Sequence, residues 1–347
     1  MAVRLAVVGA GQIGRQHVAR VLAADCATLA AIVDPMPTVA AFAAESGTPW
    51  YPDFATMLEA DRPDGVILAT PTQLHVVGGL AAVAARIAVL VEKPIADDVA
   101  AAAGLVEAAE RAGVALLVGH HRRHNPLIAE AKRAIDSGSI GQLVSVHATC
   151  WFHKPADYFA PAWRREKGAG PVFTNLIHDI DLLRHLCGEV IAVQAMESNA
   201  LRGNAVEESA VILLRFASGV LGTVNLSDIV AAPWSWEFTS GENPVYTRTG
   251  EACYLIGGTE GSLAVPQLDL WRHDGAPDWW HPIAAERLAH AEADPLARQI
   301  RNFHDVIRGT AAPLVSGREG LRTLRVIAAV KQAAASGHRV TLDQGAP

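Results

Sequence analysis

Cysteine is scarce in this 347-residue chain, and Cys26, Cys150, Cys187 and Cys253 lie far apart. No two form a C-x-x-C pair, which argues against a zinc site or a disulfide framework and suits reduced thiols in a cytoplasm. Although half the residues are apolar, no run reaches the ~18 needed to span a membrane. No basic n-region with a cleavage site precedes the first apolar run. Cations are in deficit, 29 Lys and Arg against 36 Asp and Glu for a formal charge of −7, which argues against a nucleic-acid partner. There is no internal repeat and no low-complexity linker. The expectation is a cytoplasmic protein, long enough for two domains.

The most informative stretch opens the chain. The apolar run Val3–Val8 ends in Gly9-Ala10-Gly11-Gln12-Ile13-Gly14, a G-x-G-x-x-G pattern. A helical periodicity follows at Gly14, Val18, Val21 and Leu22. Each glycine has a physical reason: Gly9 for a tight turn, Gly11 for close approach of a pyrophosphate, Gly14 for helix–strand packing. The helix N-terminus then offers free N–H groups and a positive dipole end to the phosphates, so Gln12 and Ile13 belong to the same cradle. The buried-strand pattern Ala27–Val33 ends at Asp34, twenty residues past Gly14, where an acid accepts hydrogen bonds from a ribose. The competing reading is that Asp34-Pro35 only starts a turn. A 2′-phosphate would need a nearby cation, yet no Lys or Arg lies between Asp34 and Arg62. NAD is therefore expected over NADP.

Further strand patterns run over Gly65–Ala69, Ile87–Val91 and Val114–Val118, with a helix capped by Asp97 or Asp98 and ending near Ala112. Such alternation predicts an α/β fold, a doubly wound parallel sheet. Thr70, Pro71 and His75 follow one strand end, and Glu92-Lys93-Pro94 follows another. Ligands of open α/β sheets bind at such carboxyl ends. The plainer reading of Lys93 is a solvated side chain with Glu92 as its local ion partner.

These residues resemble the Gfo/Idh/MocA family of oxidoreductases, which includes glucose–fructose oxidoreductase and inositol dehydrogenase. The similarity is carried by GAGQIG at 9–14, Asp34, Thr70-Pro71 with His75, Glu92-Lys93-Pro94, GHHRRHNP at 119–126, and Gly168-Ala169-Gly170 leading to His178-Asp179-Ile180-Asp181. It implies an N-terminal Rossmann domain over 1–121 and an α+β substrate and oligomerisation domain over 122–347 with an open, mostly antiparallel sheet. Strand patterns at Leu143–Phe152, Val190–Ser198, Ser209–Phe216, Val220–Leu226 and Gly261–Val265 agree, as do helical patterns at Pro126–Ile135 and Arg318–Ala335. The resemblance also implies Lys93 and His178 as the catalytic pair, with Glu92 and Lys93 beside the cofactor, and a homodimer or homotetramer joined through the sheet.

The segment from Thr174 to Leu183 reads as an amphipathic helix with Leu176, Ile180 and Leu183 on its buried stripe and His178 off it. One position departs from the family: polyol dehydrogenases usually carry an Asp one turn before the helix His, and here it is Thr174. Either Asp179 or another acid orients His178, or the proton moves mainly through Lys93, or the substrate differs from inositol. Substrate-binding candidates are Arg123, Tyr158, Trp163, Arg164, Thr174 and Asn175, beside His178. Seven of the eight tryptophans follow residue 150, either for a sugar-binding pocket or for a subunit interface. No H-E-x-x-H or comparably tight ligand set marks a metal site, and no Tyr-x-x-x-Lys pair is present. The expected activity is NAD-dependent dehydrogenation of a secondary hydroxyl of a sugar, polyol or related cyclic compound. The alternatives are reduction of a keto sugar or imine with NADPH, and a non-catalytic nucleotide sensor of the same fold.

Overall fold

Strands and helices alternate through the first third of the chain, because short β-branched runs there are separated by alanine-rich helix formers. In the computed structural model, which describes residues 1–342, these are β1 (Val3–Val8), α1 (Gln12–Ala23), β2 (Ala27–Val33), α2 (Thr38–Glu45), β3 (Trp50–Tyr51), α3 (Phe54–Ala60), β4 (Gly65–Leu68), α4 (His75–Ala84), β5 (Ala88–Val91), α5 (Val99–Ala112) and β6 (Leu116–Val118). All six strands are parallel, in the order β3-β2-β1-β4-β5-β6. The order reverses between β1 and β4, the switch point where ligands of doubly wound sheets bind. Asp98 caps α5, its carboxylate accepting from the Ala101 N–H at 2.8 Å. In α1 the buried face is Gly14, His17, Val18 and Val21, whereas Leu22 is half exposed.

The second region opens with α6 (Pro126–Asp136) and β7 (Leu143–Trp151). A single π-helical turn, Val172–Leu176, then runs into α7 (Ile177–Cys187). After that come β8 (Val190–Ser198), β9 (Ser209–Phe216), β10 (Leu221–Ser227), α8 (Trp236–Thr239), β11 (Tyr254–Gly258), β12 (Gly261–Val265), β13 (Asp269–His273) and β14 (Ile283–Arg287). The chain closes with α9 (Pro295–Ile307), α10 (Gly317–Ser336) and β15 (Val340–Thr341). Strands β7 to β15 form one nine-stranded sheet, antiparallel except where β10 pairs β7. One face buries Val146, Ile212, Leu214, Val224 and Ile256 against α6, α7 and the end of α10. The other leaves Met196, Val211, Leu213, Leu221, Leu255 and Trp271 exposed, as period-2 alternation requires of a sheet covered on one side.

The chain packs as two compact units, 1–124 with 293–324, and 125–292 with the residues from 325 on. The first unit therefore takes in a late stretch, 293–324, that lies far along the chain from the rest of it. The reason is α9, whose Leu296, Ile300 and Phe303 are buried. Ile300 and Phe303 share a core with Val3, Leu5 and Ile67 of the parallel sheet. Each such side chain contributes about 1.5–3 kcal/mol on burial. A Cβ on Gly65 would stand 2.8 Å from the Phe303 ring, so β4 is bare there to admit it.

Candidate active site

Between β1 and α1 the glycines do what their positions demand. Gly9 has φ +93°, and a Cβ there would lie 2.6 Å from the Ala69 carbonyl oxygen. A Cβ on Gly14 would lie 1.9 Å from the Gly9 carbonyl oxygen. At Gly11 a Cβ would meet nothing within 4 Å, and no side chain caps α1. The first-turn N–H groups are therefore left for an external anion. The Asp34 carboxylate braces this turn, accepting from the Ala10 N–H at 2.8 Å and the Met36 N–H at 2.9 Å, with lone pairs to spare. After β4, Thr70 Oγ1 is buried and has no partner among the described residues. An open phosphate cradle, a carboxylate and an orphaned hydroxyl at adjacent strand ends fit a dinucleotide. One cation does reach the cradle from outside the 34–62 stretch. Arg15 Nε donates to the Ala10 carbonyl at 3.1 Å, and its guanidinium lies 4.1 Å over the Phe42 ring.

His75 is buried, with Nδ1 2.8 Å from the Pro94 carbonyl oxygen and Nε2 2.9 Å from that of Thr70. It thereby ties the segment after β4 to the one after β5. Burial pushes its pKa down, against the two carbonyls, which favour the charged ring. The Lys93–Pro94 peptide is cis.

Glu92 is not merely a local partner of Lys93. Its carboxylate is buried and accepts from His17 Nε2 on α1 at 2.6 Å and from the Lys93 N–H at 3.2 Å. A Cβ on Gly119, after β6, would touch the Glu92 carboxyl at 2.9 Å. Burial alone would raise this carboxyl. The His17 hydrogen bond and the charges of His17, His121 and Lys93 outweigh it and hold Glu92 below the ordinary range. Arg123, expected at the substrate, is instead buried, with Nη1 donating to Glu319 at 3.0 Å. Its charge is balanced inside the unit.

In the second unit His178 sits on α7, which is buried nearly all round rather than amphipathic. Leu176, Ile180 and Leu183 are fully buried, but so are residues of the opposite face. Asp179, one of the acids considered for orienting His178, accepts from the Tyr254 hydroxyl in the core. Successive helix residues diverge by about 100°, so that carboxylate serves β11. The start of the helix is held by Glu207. Its Oε1 accepts from the Val172 N–H at 3.0 Å, and its Oε2 receives Lys331 Nζ at 2.6 Å, which also donates to Glu197 at 2.7 Å. A Cβ on Gly170 would collide with the Glu207 carboxyl at 2.2 Å, which accounts for that glycine.

Thr174 Oγ1 stands 3.1 Å from the Gly170 carbonyl oxygen and 2.9 Å from Asn175 Oδ1, either of which can take its proton. It accepts from Lys154 Nζ at 3.3 Å. Lys154 is buried 3.4 Å from Asp228, which Arg202 also engages. Burial pushes its ammonium below the ordinary lysine range despite Asp228. Tyr158 and Arg164 are half-buried, the Arg164 guanidinium 4.1 Å over the Tyr158 ring, while Trp163 is exposed. Sequence reading missed His17, Lys154, Glu207, Asp228 and Lys331.

A Rossmann unit with an open phosphate cradle, joined in one chain to an α+β unit, defines a nucleotide-dependent oxidoreductase. Residues 3–120 match the oxidoreductase family with an NAD-binding Rossmann fold, and residues 128–264 match the GFO/IDH/MocA C-terminal domain. The chain belongs to the Gfo/Idh/MocA family of oxidoreductases. It is 29% identical to 1,5-anhydro-D-fructose reductase of Ensifer adhaerens over 99% of both chains. It is 28% identical to scyllo-inositol 2-dehydrogenase (NAD(+)) of Bacillus subtilis over 98% of this chain and 96% of that one. The crystal structure of the WlbA dehydrogenase from Bordetella pertussis, in complex with NADH and UDP-GlcNAcA, superposes with a TM-score of 0.79 at 26% identity over 99% of both chains. Among the described residues no helix is long and apolar enough to cross a membrane.

Glu92 gives a pH prediction. A carboxyl depressed in the folded state stabilises it fully above its unfolded value of about 4.5, and that contribution is lost as pH falls through the lower folded value. Glu92→Gln should cost about 1–3 kcal/mol at pH 7 and flatten the stability profile below pH 4.5. Urea unfolding at a series of pH values checks this; unchanged stability at pH 7 would contradict it.

Proposed function

We propose that this enzyme oxidises a secondary hydroxyl of a sugar, polyol or related cyclic compound with NAD, and reduces the corresponding ketone in reverse. The observation that carries the cofactor assignment is the open face at Gly11 beside the Asp34 carboxylate. Gly9–Gly14 would hold the pyrophosphate, Asp34 the adenosine ribose, and Thr70, Pro71 and Glu92-Lys93 the nicotinamide half. NAD, when bound, supplies the hydride acceptor. A fixed carboxylate at position 34 repels a 2′-phosphate, so NAD is preferred to NADP. Scyllo-inositol 2-dehydrogenase of Bacillus subtilis carries NAD(+) in its name, in keeping with this preference.

For the chain's own groups, the hydroxyl proton has to leave as the carbon is oxidised. His178 is assigned as its acceptor, since imidazole titrates near neutrality. Lys93, fixed in the Glu92-Lys93-Pro94 segment, is assigned to polarise the substrate oxygen. The support is the family resemblance together with the bracing of each residue, Lys93 by Glu92 and the His178 helix by Glu207. Lys93→Met and His178→Ala should each lower kcat about 10²–10⁴-fold, and His178→Ala should leave NAD binding intact. NADH absorbance with a panel of polyols and sugars reads the first, and calorimetry with NAD the second. Near-normal turnover in His178→Ala on the preferred compound would remove His178 from the assignment.

The exposed sheet face fits self-association. Val211 and Leu213 on β9, Leu221 on β10 and Leu255 on β11 are each about half exposed on the uncovered face, interspersed with Thr223, Asn225 and His147, a mixed apolar and polar face of the kind that subunit contacts cover. The reading is a homodimer or homotetramer joined there. Leu213→Glu should shift the mass by light scattering toward the monomer, and a monomeric unaltered protein at micromolar concentration would overturn it.

A further inference from the structure

The departure at Thr174 has a counterpart in space. Where the family's polyol dehydrogenases place a carboxylate one turn before the catalytic histidine, this chain places a hydroxyl against a buried ammonium, Lys154 Nζ at 3.3 Å. The local charge is therefore reversed as well as removed.

That ammonium is poorly satisfied. It is 4% exposed, and of three donors one reaches Thr174 and one reaches Asp228 at a loose 3.4 Å, with the Tyr158 ring centroid 5.0 Å away. Asp228 is shared, because Arg202 pairs with it and also donates to its carbonyl at 2.7 Å. The next acid, Glu208, has its two oxygens taken by the backbone N–H groups of Leu201 and Arg202 at 2.7 and 2.8 Å. Glu237 acts on Lys154 more weakly than Asp228 does. A further cation stands across the Tyr158 ring. Arg164 makes one hydrogen bond, to the Tyr158 carbonyl at 2.7 Å, and its buried Nε has no partner among the described residues. Thr174, Tyr158 and Arg164 are only half-buried, so the ammonium lies one layer beneath the surface of its own unit.

We propose that Lys154, with Arg164 beside it, is the specificity-determining group for an anionic substrate: a sugar acid whose carboxylate is bound at Thr174. This rests on the proposed oxidation of a CH–OH group. The cost of holding a cation in low dielectric with two loose partners is recovered when a carboxylate supplies the third. A neutral hexose offers only a hydroxyl there, and a charged hydrogen bond discriminates against it by roughly tenfold or more.

The test uses matched rings, D-glucuronate against D-glucose and D-galacturonate against D-galactose. Binding to the NADH-loaded protein is measured by calorimetry, and turnover with NAD by absorbance. At least one uronate should bind about tenfold or more tighter than its aldose. Lys154→Met should erase that ratio and Lys154→Arg should retain most of it; circular dichroism checks that both fold. If Lys154→Met does not fold, the ratio in the unaltered protein and in Lys154→Arg still decides. Equal binding of uronates and aldoses, or a ratio that survives in folded Lys154→Met, overturns the proposal. A uronate preference lost in Lys154→Met without NADH formation from any of the four sugars would support the recognition site and refute the oxidation. NADH formed equally from aldoses and uronates would do the reverse.

Discussion

The buried carboxylate of Glu92 is the constraint on which the nucleotide-binding unit depends. A carboxylate out of water is costly unless hydrogen bonds and opposite charge repay it. Here His17 from the helix that follows the glycine turn and the Lys93 N–H both point at it. The arrangement links the phosphate cradle to the segment that carries Lys93 through one anion. It also explains Gly119, since any side chain there would occupy the carboxylate's place. His75 makes a second tie, from Thr70 to Pro94, through two backbone carbonyls. The strand ends around the cradle are thus set by side chains with no need to touch a ligand.

The second unit solves the corresponding problem with another buried acid. Glu207 receives the first free N–H of the turn leading to His178 and is itself neutralised by Lys331. Helix starts leave such N–H groups unsatisfied, and an acid there also complements the helix dipole. The π-helical turn at Val172–Leu176 coincides with this support. A π-turn shifts the register of the residues after it, so the direction in which His178 leaves the helix depends on the same few contacts.

Sequence legibility followed the range of the interactions. The glycine turn, Asp34 and strands such as Ala27–Val33, Val190–Ser198 and Ser209–Phe216 were visible because their signals lie within a dozen residues. Strand β11 was not anticipated, since Gly257 and Gly258 dilute its pattern. Strand β14 was missed because all five of its residues are exposed and no alternation marks it. Helix α9 carries a clear apolar stripe at 296, 300 and 303, but nothing local says that it returns to the first sheet. The groups that brace the site, His17, Glu207 and Lys331, meet partners 35 or more positions away. Thr174 stood out in the sequence as a departure from the family, whereas its partner Lys154 lies twenty residues upstream with no local signal to mark it. The helix of His178 was expected to be amphipathic and proved buried on nearly every side, because the sheet, α6 and the end of α10 surround it.

The central claim is that the turn at Gly9–Gly14 with Asp34 forms an NAD site, a claim that can be tested without knowing the substrate. Calorimetric titration of the unaltered protein with NAD and, separately, with NADP addresses it most directly. A carboxylate braced against the turn predicts clearly tighter binding of NAD. NADP binding as tightly as NAD, or more so, would contradict the account and would place Arg15 in contact with the 2′-phosphate.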